Sequence, residues 1–143
     1  MTAVRRLAAA DYDALLSLWQ RVGLSSVRSE GRDSREAFAR QLDQGQVVLG
    51  LEESGKLIGC VVATHDTRKG WINRLAIDPD HRRKGHARRL IRAAEDVLRE
   101  QGMSVLAALI EDWNDASLEL FKKAGYHVDP DVIYVSKRDS TEA

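Results

Sequence analysis

Residues 80–90 read DHRRKGHARRL, with five Arg/Lys and two His around a single Gly. Three chemistries fit these residue types: a nucleic-acid patch, a phosphate cradle, or the solvated start of a helix. Spacing separates them. Ala87, Leu90, Ile91, Ala94, Val97 and Leu98 recur at helical intervals and make one apolar stripe. Arg88, Arg92, Glu95 and Arg99 fall on the other side, where Arg92 with Asp96 and Glu95 with Arg99 are i,i+4 partners. Within the helix, Arg92 and Arg99 therefore read as a water-facing surface. The residues ahead of the helix say more. Pro79 opens a turn, and the helix starts near Gly85 and His86. A helix N-terminus offers unsatisfied N–H groups and the positive end of its dipole. Gly85 lets backbone approach a ligand, and small Ala87 keeps the next turn uncrowded. Together they make an anion site suited to phosphate, with Arg82, Arg83 and Lys84 adding charge. The stretch has neither the Gly-x-Gly-x-x-Gly of a dinucleotide fold nor the Gly-Lys-Ser/Thr of a P-loop. A cradle for another phosphate-bearing ligand is the functional reading, and a purely turn-shaping Gly85 is the structural one.

The elements that must position this loop are legible from patterning. Residues 3–7 suit a first strand. Asp11 suits an N-cap for a helix carrying Leu15, Leu18, Trp19 and Val22, stopped at Gly23. Ser34 caps a second helix that ends near Gly45. Residues 46–53 and 56–65 flank a Ser54-Gly55 turn and form a hairpin. Residues 71–77 make the next strand, and the loop and a helix over about 86–101 follow. Residues 104–110, SVLAALI, are continuously apolar and are expected to pair in parallel with 71–77 through a right-handed crossover. Asn114 starts a last helix, stopped at Gly125. Short strands near 126–128 and 132–137 close the chain. The expectation is one mixed α/β domain over residues 1–143, with antiparallel strands, a central β–helix–β unit, about six to seven strands and four helices.

Composition narrows the function classes. Basic and acidic side chains balance at 22 each, which argues against a whole-surface polyanion binder. The basic stretch also lacks interleaved stacking aromatics, so nucleic acid is not the expected partner. No segment approaches the ~20 apolar residues of a membrane span, and the start lacks a signal-like apolar run. With one cysteine, these features suggest a cytoplasmic protein. Cys60 lies in an apolar strand, and His65 points to the other face, so a core thiol is expected rather than a nucleophile. His65, His81, His86 and His127 have no accepted metal spacing, and no metal is expected. Trp19 reads as core, while Trp71 and Trp113 are candidates to line a substrate pocket, beside the commoner reading of core or rim packing.

LAIDPDHRRKGHARRLI resembles the central motif of the GNAT superfamily of acyl-CoA-dependent N-acyltransferases. Arg82, Gly85 and Ala87 fill the three defining places of its Arg/Gln-x-x-Gly-x-Gly/Ala loop. NDASLELFKKAGY resembles the second family signature, from Asn114 through Phe121 and Gly125 to Tyr126. The two motifs are separated by a helix and a strand, as in the family, and the resemblance covers nearly the whole chain. It implies a GNAT-like fold and acetyl-CoA as cosubstrate. It implies that Arg82, Arg83, Lys84, Gly85, His86, Ala87 and Arg88 hold the pyrophosphate. It implies that the pantetheine arm lies along Leu75, Ala76 and Ile77, with Asn114 and Phe121 also on the cofactor side. That geometry needs the strand at 71–77 to splay from 104–110 and leave backbone groups free.

The implied reaction is acetyl transfer by direct attack of a primary amine, belonging to a small molecule, a peptide or a protein. The resemblance also allows a homodimer. Two places depart from the family pattern. Phe121 stands where a Tyr acid is frequent, and Phe donates no proton. Asn73 stands where many relatives carry Glu, so it can orient a water but is no strong base. Glu111, just after the apolar run, is the candidate base, beside its reading as a loop charge. Tyr126 and Tyr134 are near in sequence, and Glu52 and Glu53 read as a hairpin tip. A catalytically silent acetyl-CoA sensor is the alternative, and a nucleic-acid module ranks behind both. Asp129 and Asp131 are candidate attractors of a cationic acceptor, or simply a turn.

Overall fold

In the computed structural model, which describes residues 1–143, four consecutive antiparallel strands make most of one sheet. They are β1 (Thr2–Arg6), β2 (Val47–Glu53), β3 (Lys56–His65) and β4 (Gly70–Ile77). A short β5 (Leu106–Ala107) joins β4 in parallel, giving the order β1-β2-β3-β4-β5. The helices are α1 (Tyr12–Val22), α2 (Arg35–Asp43), α3 (His86–Glu100) and α4 (Asp115–Lys123). This is the expected mixed α/β class, with its β4–α3–β5 crossover.

The helix ends follow from their caps. Ser34 accepts from the Ala37 N–H at 3.1 Å, and Asn114 accepts from the Ser117 N–H at 3.2 Å. Gly23 closes α1 in the left-handed region that glycine favours. Asp11 stands at the N-cap of α1, but its carboxylate turns back to the Ala8 N–H and to Arg5.

Both faces of the sheet are covered. On one, Leu90, Ile91, Ala94 and Leu98 of α3 pack with Leu49, Leu51, Ile58, Val61 and Ile72. On the other, Leu15, Leu18, Trp19 and Phe38 of α1 and α2 pack with Leu7, Val48, Leu57 and Cys60. Each fully buried Leu or Ile contributes about 1.5–3 kcal/mol, so α3 is held chiefly by its apolar stripe. No helix is long and apolar enough to cross a membrane.

Five strands form where the sequence pattern suggests six to seven. Residues 104–110 pair with β4 only at Gly70↔Leu106 and Trp71↔Ala107. Residues 126–128 and 132–137 join no ladder, and Val132, Ile133, Tyr134 and Val135 are all exposed. The physical reason is that apolar, β-branched composition reports a preference for pleated surface. A strand also needs a paired edge.

Candidate functional site

The turn before α3 is built on Asp78. Its side chain is 3% exposed, and its two oxygens accept from the Asp80 N–H and from Arg21 Nε, each at 2.9 Å. The Asp80 N–H, joined by the Arg21 guanidinium, holds this carboxyl below its ordinary value against the opposing effect of burial. Arg21 also donates to the Leu57 carbonyl. One carboxylate thus ties the turn to α1 and β3.

From this anchor the chain runs through Arg82–Ala87 with Arg83 at φ 64° and Gly85 at φ 79°. Arg82 Nε donates back to the Ile77 carbonyl at 3.3 Å, bracing the loop from below. The first helical bond at this end is donated by Arg89 to Gly85 O. The N–H groups of Arg83, Lys84, Gly85, His86, Ala87 and Arg88 therefore have no internal acceptor. His86 adds a buried Nε2 with no partner. The side chains of Arg82, Arg83, Lys84 and Arg88 are exposed. A run of free donors at a helix start can take up an anion.

β4 carries a bulge beside this loop. Its register against β3 slips between Ala76↔Cys60 and Asn73↔Val62, so Arg74 and Leu75 together face Val61. Arg74 takes the left-handed φ of 52°. The consequence is a break in alternation: Asn73 and Arg74 both line the α1/α2 side, while Leu75 packs on the α3 side. Beyond Trp71, β4 has no partner toward β5. Leu75, Ala76 and Ile77 therefore lie on the open arm of a fork.

On the α1/α2 side the bulge borders a cavity of about 200 Å³. Trp19, Phe38, Gln41, Val62, Asn73 and Arg74 form much of its wall, together with Arg32 and Asp33 from the loop before α2. Arg74 makes a two-pronged bond to Asp33, at 2.8 and 2.9 Å, and stacks over Trp19 with its guanidinium 4.8 Å from the ring centre. Arg28 N–H donates to the same carboxylate at 2.8 Å.

The structure brings Asn73 into this wall and places Leu75, Ala76 and Ile77 next to it along β4. Asn114 caps α4. Glu111 is exposed in the turn before α4 and is not part of the cavity wall. Phe121 is 5% exposed, within the α3-side core, and meets Tyr126 edge-on at 5.0 Å. The Tyr126 hydroxyl donates to Glu95 at 2.7 Å, and burial with that carboxylate pushes its pKa well above the usual range. Tyr134 and Trp113 are exposed. Glu52 pairs with Arg5, and Glu53 lies 3.1 Å from His81 Nδ1. Cys60 is fully buried, and burial pushes its thiol up to about 12. His65 is exposed, its Nδ1 accepting from the Thr67 N–H. Sequence reasoning missed Arg74, Asp33 and the anchoring role of Asp78. Of these only Asp78, directly before a proline, carries a local signal.

Comparison with known proteins adds an independent line. A family model described as the acetyltransferase (GNAT) family matches residues 12–126. An acetyltransferase of Sodalis glossinidius is 26% identical over 129 residues, covering 90% of this chain and 89% of that one. The PaiA N-acetyltransferase of Thermoplasma acidophilum, in complex with coenzyme A, is similar at a TM-score of 0.79 with 18% identity, over 90% of this chain and 91% of that one. AAC(6')-Iy, in complex with the bisubstrate analogue CoA-S-monomethyl-acetylneamine, is similar at a TM-score of 0.80 with 16% identity, over 96% and 99%. At these identities the two solved structures speak for the fold.

Proposed function

The chain belongs to the acetyltransferase (GNAT) family, and from that premise we propose that it moves an acetyl group from acetyl-CoA to a primary amine by direct attack. The observation that carries this reading is the run of N–H groups from Arg83 to Arg88 without internal acceptors. These groups would hold the pyrophosphate through backbone more than through side-chain charge. Leu75, Ala76 and Ile77, on the open arm of β4, would take the pantetheine arm as an added strand. A backbone N–H there would polarise the thioester carbonyl. Asn114 would contact the arm while capping α4, and Phe121 would act through packing.

When bound, acetyl-CoA supplies an activated thioester: a C–N bond forms, the C–S bond breaks, and the thiolate leaves. An alkylammonium, with pKa ~10, must lose a proton first. Asn73, on the cavity wall, can orient a water that accepts it, and Glu111 is the carboxylate held in reserve for that role. No acid is assigned. Phe121 has no proton to give, and the Tyr126 hydroxyl is committed to Glu95. The second amine proton passes to solvent as the amide forms, and the thiolate leaves unassisted or takes a proton from water.

One observation favours a second reading, a catalytically silent acetyl-CoA sensor. Asp33, the carboxylate on the cavity wall, is saturated by Arg74 and the Arg28 N–H, so it is not free to act as a base. Calorimetric titration with acetyl-CoA and a thiol-release assay across an amine library separate the two. Binding with turnover of any amine establishes the enzyme. Binding without turnover establishes the sensor. Absence of binding at millimolar acetyl-CoA sinks both.

A further inference from the structure

The cavity beside the β4 bulge carries an imbalance of charge. Its wall holds two guanidinium groups, Arg32 and Arg74, and one carboxylate, Asp33. That carboxylate is already full. Arg74 binds it at 2.8 and 2.9 Å, the Arg28 N–H at 2.8 Å, and Arg32 Nε lies at 3.7 Å. Gln41, Gln46, Thr64 and Asn73, the remaining polar residues of the wall, are neutral. Trp19, also on the wall, offers its ring face to Arg74 at 4.8 Å. The charged groups of the lining thus sum to one excess positive charge. Of the two guanidinium groups, Arg32 is the less closely paired with the Asp33 carboxylate. Its side chain is 38% exposed, its Nη2 donates to Ser26 O at 2.7 Å, and its Nη1 meets Ala143 O at a long 3.4 Å. A charged oxygen at ordinary hydrogen-bond distance would bind that Nη1 more strongly than this long contact does.

We propose that the acceptor amine carries an anionic group, a carboxylate or a phosphate, within a few bonds of its nitrogen, and that Arg32, with the less exposed Arg74, selects for it. The inference rests on reading this cavity as the acceptor site of an acetyltransferase. The net positive wall disfavours an acceptor with a second cation, since like charges brought together oppose binding. The same charge favours the uncharged amine, which is the form that attacks.

The test uses four amines of similar size: γ-aminobutyrate, its amide, aminopropyl phosphate and putrescine. Steady-state thiol release gives kcat/KM for each, and titration calorimetry in the presence of CoA gives the Kd of each. At least one anionic amine is expected to exceed the neutral amide by about tenfold or more, with putrescine lowest, as one charge-assisted hydrogen bond implies. Which anion leads tells carboxylate from phosphate. Arg32→Gln is expected to bring the anion-to-amide ratio toward one in both measurements. An amide or putrescine that matches the anionic amines overturns the proposal, as does a ratio unmoved by Arg32→Gln or failure of all four to bind. Selective binding of the anionic amines without turnover upholds the pocket's selectivity and overturns acetyl transfer.

Discussion

Gly85 meets two separate demands. Its φ of 79° suits glycine, and a Cβ built there meets nothing within 4 Å. Asparagine tolerates the left-handed region better than other side chains do, so it satisfies the first demand while filling the second. Gly85→Asn is expected to keep Tm within a few degrees and to weaken acetyl-CoA binding by about tenfold or more. Calorimetry and thermal denaturation together check this, and undiminished affinity would remove the loop from the proposed site. Gly85 is legible in the sequence because its signal is local: turn, glycine, small residue, helix. Arg74 and Asp33 are not. They lie 41 positions apart, and strict strand alternation puts Asn73 and Arg74 on opposite faces. A bulge that no single residue announces brings both to the cavity.

Among the elements, Asp78 joins three. Its carboxylate holds the turn before α3 to α1 through Arg21, and its backbone N–H donates to Ile58 of β3 at 2.7 Å. Its pKa is depressed in the folded chain by the Asp80 N–H and then Arg21. A depressed carboxylate adds stability above its unfolded value, and that stability is lost as pH falls through the lower, folded value. Asp78→Asn is therefore expected to cost about 1.5–2 kcal/mol at neutral pH, as loss of a charged hydrogen-bond partner to a half-buried arginine does. The gap from the unaltered protein should narrow once pH drops below the ordinary 3.8 of an aspartate. Urea denaturation at pH 7 and at pH 3 measures it, and a constant gap would argue against the ion pair. The helices and β1–β4 are legible because periodicity, caps and turns mark them locally. The short β5 is not, because its length is set by where β4 bends away.

At the scale of the molecule, both sheet faces are covered, yet one end of the chain leaves apolar surface in water. Val132, Ile133, Tyr134 and Val135 are exposed at 72%, 82%, 67% and 84%. Unpaired β-prone segments of this kind promote association between chains. Ile133→Lys is expected to lower self-association at high protein concentration, measured by light scattering, with little change in Tm. Equal scattering from both proteins would show that the segment is not adhesive. The sequence pattern marks this segment as a strand because its composition suits one, and pairing is a property of the whole fold.

The burial of Cys60 has a practical consequence. It is the chain's single cysteine, fully enclosed, with its thiol shifted up to about 12. A colorimetric thiol reagent therefore finds nothing to react with on the native protein. Each molecule that unfolds adds one equivalent, so the drift of an enzyme-only blank counts denatured protein while the reaction wells count released CoA.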